Sequence, residues 1–193
     1  MPAEYSRHKA TYGSDYGQPL ARRRCLVAAG AGTRRARRYV RSLDATVATI
    51  LPCYLQVVDA LSPVMRGLPG VIVTIDGRDA VGKTTLGRFL AWYFNVTLIE
   101  TDLFLIPAQD YLIHLDDQIN RIIERRITSP LPVIVEGVSM LQLMKRINRV
   151  PAFSIYVTNP QQSSSELLER RLAAYEAAFS PSAKANIVVR VER

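Results

Sequence analysis

The chain has 193 residues, of which 48% are hydrophobic, and its 25 lysines and arginines outnumber 17 acidic residues to give a net charge of +8. This length suits one ordinary domain with an appendage, and the hydrophobic fraction supports a buried core. Cys25 and Cys53 lie far apart with no CxxC pattern and no nearby histidine. This spacing argues against a cysteine metal site and indicates reduced thiols in a cytoplasmic protein.

The first segment, residues 1–43, is a basic arm without sustained periodicity, and we predict that it is disordered. Residues 1–44 hold ten basic and three acidic side chains, so their net charge of +7 accounts for nearly all of the excess. Such an arm is either a solvated extension or a surface that contacts nucleic acid. Glu4 and Asp15 argue against a secretory signal. The longest apolar stretch, 45–61, contains Gln56 and Asp59 and is too short to span a bilayer, so no membrane association is expected.

Residues 44–69 read as a helical lead-in. Asp44 is a suitable N-cap, and apolar residues recur with helical spacing from Val47 to Leu61. Pro52 either kinks this helix or divides it into two shorter ones. Pro63 and the glycines that follow it predict a break before the first strand.

The domain proper is predicted over residues 70–193, and it opens with the apolar strand 71–76. The next residues follow the pattern of a phosphate-binding P-loop, in which glycines let several backbone N–H groups point at one phosphate. Lys83 is placed to reach the β- and γ-phosphates, and the Thr84 hydroxyl to ligate Mg²⁺. We predict that ATP binds with Mg²⁺ to this loop and its flank: Gly77, Arg78, Asp79, Ala80, Val81, Gly82, Lys83, Thr84 and Thr85.

Beyond the loop, apolar runs alternate regularly with amphipathic segments. The pattern predicts strands over 97–101, 132–136, 153–158 and 186–191, and helices over 83–94, 110–127, 139–148 and 163–178. Short, wholly apolar strands separated by helices indicate a parallel sheet that is covered on both faces. The predicted fold is therefore an α/β three-layer sandwich, α/β/α, with a five-stranded parallel sheet.

Acidic residues finish two of these strands. Asp102 follows the second strand in Asp102-Leu103-Phe104, and Glu136 ends the third in Val133-Ile134-Val135-Glu136-Gly137. Ligands of such sheets sit at the carboxyl ends of the strands, and an acid there is costly unless it is solvated, paired or bound to metal.

These segments, with Tyr175 and the C-terminal strand, resemble the uridine kinase-like branch of P-loop small-molecule kinases. The resemblance covers roughly residues 70–191 and implies the strand order 2-3-1-4-5. It also implies ATP-dependent transfer of a phosphoryl group to a hydroxyl of a small metabolite, nucleoside-like or vitamin-like. In that family an aspartate in the position of Asp102 activates the acceptor, and a glutamate in the position of Glu136 lies near the metal.

Within this hypothesis the catalytic residues are Lys83, Asp102, Arg170 and Arg171, and the metal ligands are Thr84 and Glu136. The two arginines would act from a lid over the migrating phosphoryl group. Each assignment has an alternative. The alternatives are that Asp102 caps the next segment, that Glu136 ends a strand at the surface, and that the arginines lie on a solvated helix face.

Two further residue groups have simpler interpretations. Trp92, Tyr93 and Phe94 end the first domain helix and are expected to pack against the sheet. Tyr175 and Phe179, four residues apart, are expected to pack in the core.

Two other functions are open. The first is that of a nucleoside triphosphatase. The second is that of a nucleotide-binding regulatory protein with a reduced lid, which reaches nucleic acid through the basic arm. The phosphoryl acceptor and the oligomeric state do not follow from the sequence.

Overall fold

A computed structural model of the chain describes residues 51–106, 113–161 and 166–191. In chain order these residues form helix α1 (Pro52–Met65), strand β1 (Ile72–Gly77), helix α2 (Lys83–Phe94), strand β2 (Thr97–Glu100), a 3-10 helix (Thr101–Phe104), helix α3 (Asp116–Thr128), strand β3 (Val133–Glu136), helix α4 (Met140–Arg146), strand β4 (Phe153–Thr158), helix α5 (Glu166–Phe179), helix α6 (Pro181–Lys184) and strand β5 (Ile187–Arg190).

The described strands form one five-stranded parallel sheet in the order β2-β3-β1-β4-β5. Strand β1 lies at the centre, and Thr74 stands opposite Val135 of β3 on one side and Ser154 of β4 on the other. The predicted fold class and strand order are confirmed. Since all strands run in the same direction, the carboxyl ends of β1, β2 and β3 meet at one edge of the sheet.

Alternate residues of the central strand point to opposite faces of the sheet. Val73 and Ile75 pack in a core with α1 and α2, whereas Ile72 packs in a second core with α3 and α4. Leu86 and Leu90 of α2 are fully buried in the first core. Burying each such leucine contributes about 1.5–3 kcal/mol. The result is the predicted three-layer sandwich.

Helix α1 begins at Pro52, with Leu51 before it in extended backbone. Proline suits this first position because its fixed φ is helical and its missing N–H would be unpaired there anyway. Residues 44–50 of the predicted lead-in helix lie outside the described residues. The predicted break before the first strand is present, but it starts later than Pro63, since α1 includes this proline and continues to Met65. Only the end of the helix follows Pro63, and burial of Leu61 and Met65 holds this turn in place.

Helix α2 has the predicted bounds. It starts after Gly82 and stops at Asn95, which adopts the left-handed conformation and donates its N–H to the carbonyls of the last turn. The prediction that Trp92 and Tyr93 pack against the sheet is wrong, because their exposed fractions are 74% and 50%. The face that meets the sheet carries Leu86 and Leu90, and the helical period turns Trp92 and Tyr93 away from it.

Helix α3 starts later than predicted. It begins at Asp116 rather than at residue 110, and residues 107–112 lie outside the described residues. Before the helix, Leu105 and His114 form an isolated antiparallel bridge, so His114 is buried in extended backbone. Asp116 and Asp117 occupy the first turn of α3. Their negative charges there are stabilised by the helix dipole, which accounts for the observed start.

Three other observations bear on the predicted organisation. Strand β4 has the predicted bounds, and the short helix α6 was not predicted. The basic arm, residues 1–43, lies outside the described residues, and its proposed separation from a lead-in and a domain stays a prediction. Within the described ranges, no helix has the length and apolar character needed to cross a membrane.

Candidate active site

The loop between β1 and α2 turns through several residues with positive φ. Gly77 has a φ of 149°, and a Cβ on it would lie 2.4 Å from the carbonyl oxygen of Val157 in β4. Gly82 has a φ of 100°, and between them Ala80 has a φ of 56°. A left-handed alanine is strained by about 1–2 kcal/mol. Such alternation directs successive N–H groups into one concavity, and this concavity precedes the N-terminus of α2.

Lys83 lies inside this loop. Its side chain is nearly buried, with 6% exposed, and its Nζ donates a 2.6 Å hydrogen bond to the carbonyl oxygen of Arg78. Burial lowers the pKa of the Lys83 ammonium, and four surrounding carboxylates oppose this effect: those of Glu136, Asp102, Asp79 and Asp76. The Lys83 ammonium is therefore held at the loop, with four carboxylates around it.

Thr84 and Glu136 are in direct contact. Thr84 Oγ1 donates a 2.9 Å hydrogen bond to Glu136 Oε1. Glu136 is 1% exposed, and its Oε2 has no hydrogen-bond partner. Burial raises the pKa of this carboxyl, while the Thr84 hydrogen bond and the charge of Lys83 oppose the rise. The structure therefore brings together the two residues predicted to ligate the metal.

These two side chains fit a magnesium ion. Mg²⁺ prefers hard oxygen ligands, and proteins usually hold it by one or two carboxylates together with substrate phosphates rather than by a full cage. A hydroxyl and one buried carboxylate whose second oxygen is unpaired, beside the predicted phosphate-binding loop, match that description. Within the described ranges, no group of three or more His, Cys, Asp or Glu side chains is placed to hold a metal ion.

Asp102 lies in the 3-10 helix that directly follows β2, and its side chain is exposed. Its negative charge acts on both Lys83 and Glu136, raising the pKa of each. Asp102 therefore lies at the same edge of the sheet as the loop, with its carboxylate open to solvent. An exposed carboxylate at that place is accessible to an incoming hydroxyl.

The side chain of Arg78 points away from Lys83 and towards α5. It donates hydrogen bonds to the carboxylates of Glu169 and Glu176, and Tyr156 of β4 donates to Glu176 as well. Asp79 and Ala80 are exposed, and Thr85 is exposed at the start of α2. Sequence reasoning missed the glutamates, because nothing local marks them as neighbours of the loop.

A second connection joins α5 to the end of β1. Asp76 is buried; it accepts a 2.7 Å hydrogen bond from the N–H of Gly77 and another from the Tyr175 hydroxyl. The Tyr175 oxygen in turn accepts the N–H of Leu141, 3.1 Å away in α4. Burial raises the pKa of Asp76, and these donors oppose the rise. Tyr175 is a core residue, as predicted, but its hydroxyl also holds the acid that precedes the loop.

The two arginines predicted to act from the lid lie on α5. Arg170 is exposed and Arg171 is partly buried. Helix α5 reaches the loop and β1 through Glu169, Tyr175 and Glu176. The roles assigned to Arg170 and Arg171 stay predictions.

A cavity of about 350 Å³ lies beside the loop, between it and α5, and is lined by Arg78, Asp79, Val81, Tyr156, Asn159 and Glu176, among others. A larger hollow of about 810 Å³ lies along α3, where its lining includes Arg121, Arg125 and Arg126. Of these two cavities, the smaller one adjoins the loop that carries Lys83.

No protein-family model matches the sequence, and no curated protein matches it. The fold is similar to those of several solved structures named as kinases. A possible uridine kinase from Bacillus stearothermophilus is 13% identical with a TM-score of 0.48, and the match covers 69% of this chain and 98% of that one. Shikimate kinase from Acinetobacter baumannii, in complex with shikimate, is 16% identical with a TM-score of 0.45, and the match covers 68% and 88%. A sugar kinase from Janibacter is 15% identical with a TM-score of 0.41, covering 63% and 86%. At this level of similarity the fold assignment rests on the sheet order and not on these matches.

Proposed function

We propose that this chain is an ATP-dependent kinase that phosphorylates a hydroxyl of a small metabolite. The observation that carries the proposal is the contact of Thr84 with the buried carboxylate of Glu136, directly below the loop that holds Lys83. A hydroxyl, an acid and a lysine in this arrangement are the parts that phosphoryl transfer requires for positioning and charge neutralisation.

On the donor side, Lys83 would keep its hydrogen bond to the carbonyl of Arg78 and donate its other N–H groups to the β- and γ-phosphates. The loop N–H groups would bind the same phosphates, and the Thr85 hydroxyl would lie towards the α-phosphate. The cavity of about 350 Å³ between the loop and α5 offers space for the base and ribose. Since Lys83 already lies in the loop, its ammonium needs only to add phosphate oxygens as acceptors when ATP binds.

Thr84 and Glu136 would hold Mg²⁺, through direct contact or through water. When bound, the ion offsets the negative charge of the outer phosphates. Glu136 suits this role because its ionised form is poorly solvated where it lies, so a cation compensates a charge that the fold otherwise leaves buried.

On the acceptor side, Asp102 would accept the proton of the attacking hydroxyl. The acceptor oxygen forms a bond to the γ-phosphorus as the bond between that phosphorus and the bridging oxygen of ADP breaks. The products are the phosphorylated acceptor, ADP and a proton held first on Asp102. Arg170 and Arg171 would offset charge on the migrating group after α5 moves towards the loop.

The test is turnover of ATP against a panel of nucleosides and other small hydroxyl compounds, with three proteins compared. We expect ADP and a phosphorylated acceptor from the wild type with at least one compound. Lys83→Ala should lose nucleotide binding and turnover, whereas Asp102→Asn should bind ATP normally and fail to transfer. Full transfer by Asp102→Asn would eliminate Asp102 as the base.

One observation favours a second candidate, a nucleotide-binding regulatory protein or a triphosphatase with a reduced lid. Helix α5 presents two carboxylates to the loop, those of Glu169 and Glu176, at a place where a kinase lid would supply positive charge. ATP binding with no acceptor-dependent release of ADP would support the regulatory protein, and release of phosphate to water would support the triphosphatase. Loss of nucleic-acid affinity on removal of residues 1–43 would then implicate the basic arm.

A further inference from the structure

Arg78 is the second residue of the loop that begins at Gly77. All three nitrogens of its guanidinium donate hydrogen bonds to carboxylates of α5. Its Nε and one terminal nitrogen bind the two carboxylate oxygens of Glu176, at 3.0 and 2.7 Å. The other terminal nitrogen binds Glu169 at 2.6 Å. The loop therefore does not present this guanidinium to a phosphate.

The receiving carboxylates are themselves fixed in position. Glu169 and Glu176 are seven residues apart, two turns of helix, so they lie on the same face of α5. Tyr156 of β4 donates a 2.7 Å hydrogen bond to Glu176 Oε1, which ties this carboxylate to the sheet. A bidentate pair within a network is the kind of ion pair that has a defined geometry, unlike a single pair at the surface.

The main chain of the same arginine contacts the loop lysine. Lys83 Nζ donates to the carbonyl oxygen of Arg78 at 2.6 Å, so this residue joins α5 through its side chain and Lys83 through its backbone. The residue that binds α5 is therefore also the residue that supplies the acceptor of the Lys83 ammonium.

We propose that Arg78 is a positioning residue, which Glu169 and Glu176 hold so that its carbonyl keeps Lys83 in place for the phosphates. This inference rests on the proposed function, because it explains what holds the Lys83 ammonium in position to bind the phosphates of ATP. It deepens that function by making α5 a determinant of nucleotide affinity. The arrangement acts on the ground state of the loop, so it changes ATP affinity and KM rather than kcat.

The experiment compares Arg78→Met, Glu176→Gln and the double variant. ATP affinity is measured by titration and, where an acceptor is known, kcat and KM are measured separately. We expect either single change to weaken ATP binding by about tenfold, and the double variant to lose no more than Arg78→Met alone. We expect kcat to change less than about twofold, because the residue does not touch the reacting atoms.

The opposite result has a distinct meaning. If Arg78 instead moves to the phosphates when ATP binds, Glu176→Gln would release the guanidinium and tighten ATP binding. That outcome, or additive losses in the double variant, would overturn the proposal. Unchanged affinity in all variants, with only a lower melting temperature, would also overturn it. Glu169→Gln, which weakens the pair with Arg78 and leaves both hydrogen bonds from Arg78 to Glu176, provides a second variant if Glu176→Gln fails to fold.

A second measurement needs no nucleotide, so it separates failure of this inference from failure of the proposed function. The acetylation rate of Lys83 in the ligand-free protein is followed by mass spectrometry, with the exposed Lys184 as internal reference. We expect Arg78→Met and Glu176→Gln to raise the rate at Lys83 by about fivefold or more, since the ammonium loses its fixed acceptor. Glu124→Gln, which breaks the Arg149 ion pair of α3, is the matched control and should leave the rate unchanged. Equal rates in all proteins would overturn the inference even if the chain is a kinase.

Discussion

Thr84 Oγ1 and Glu136 Oε1 lie 2.9 Å apart, although their positions differ by 52 in the sequence. Thr84 is the second residue of α2, and Glu136 is the last residue of β3, which neighbours the central strand. The parallel order of the sheet brings these two ends together. It leaves the second carboxylate oxygen of Glu136 buried and without a partner.

This pair predicts that ATP binding depends on Mg²⁺ through Glu136. In Glu136→Gln we expect ATP affinity in excess Mg²⁺ to fall by about 10- to 100-fold, because a neutral amide is a poor ligand for a hard cation. Affinity without Mg²⁺ should change far less. The measurement is a titration of ATP with and without the metal.

Glu100→Gln is the control for this prediction. Glu100 ends the neighbouring strand β2 directly opposite Glu136, but its carboxylate pairs with Arg88, 2.7 Å away. The control should keep its response to Mg²⁺. If Glu136→Gln responds to Mg²⁺ as the wild type does, Glu136 does not hold the metal.

The pH dependence of stability should have opposite signs for Glu136 and Glu176. Burial raises the pKa of Glu136, so the folded state holds its proton more tightly than the unfolded chain. Its contribution to stability therefore declines as pH rises above the ordinary glutamate value of about 4.3. The pKa of Glu176 is lowered, first by the hydrogen bond from Arg78. Its contribution is complete above the ordinary value and is lost as pH falls below it.

Denaturant unfolding of the ligand-free proteins between about pH 3 and pH 7 measures this difference. The free energy of unfolding of the wild type minus that of Glu136→Gln should decrease as pH rises. The same difference taken against Glu176→Gln should increase as pH rises. Parallel curves for the two variants would contradict the assigned environments.

The sequence predicted the parts of this site that depend on local pattern. Gly77–Thr84 forms the expected loop because strand, glycines and helix are contiguous, and Glu136 was found because it ends an apolar strand. Glu176 and Tyr175 were not predicted as contacts of the loop region, since they lie 98 and 99 positions from Arg78 and Asp76. Contacts of that separation depend on how α5 packs, which no local pattern encodes.

The fold shows the same division between local and non-local causes. The start and end of α2 were predicted because Gly82 and the Asn95 cap are local signals. The orientation of Trp92 was not predicted. Leu86 and Leu90 occupy the buried face of the helix, and Trp92 therefore faces solvent. Likewise, the break before β1 was expected from Pro63 onwards, but α1 continues to Met65 because residues on either side of Pro63 are buried.

Gly77→Ala should impair both stability and nucleotide binding. Its Cβ would lie 2.4 Å from the carbonyl oxygen of Val157, and the backbone of Gly77 has a φ that alanine rarely adopts. We expect a loss of about 2 kcal/mol or more in the free energy of unfolding, and ATP affinity reduced with it. Gly67→Ala is the matched control, because Gly67 also has a positive φ, 75°, but nothing lies within 4 Å of its added Cβ.

The two glycine variants separate backbone strain from close contact. Gly67→Ala should cost about 1 kcal/mol and keep ATP binding, since only strain is introduced. Equal losses of stability in the two variants would show that the loop can move away from β4. The measurement is urea unfolding of both proteins with an ATP titration on each.

Tyr175→Phe should destabilise the chain without creating a cavity, because it removes only the hydroxyl that donates to Asp76. Asp76 is buried, and each lost donor leaves more of its charge uncompensated. We expect a loss of about 1–3 kcal/mol in the free energy of unfolding. The loss should shrink as pH falls, because burial raises the pKa of Asp76 and the protonated acid needs the donor less.

Tyr93→Phe makes the same chemical change on an exposed ring, and it should alter stability by less than about 0.5 kcal/mol at any pH. The comparison therefore isolates the buried contact from the general effect of losing a tyrosine hydroxyl. Because Asp76 also accepts the N–H of Gly77, Tyr175→Phe should weaken ATP binding as well, whereas Tyr93→Phe should not. A stability loss in Tyr175→Phe that is independent of pH would mean that the hydroxyl acts through Leu141 of α4 rather than through the acid.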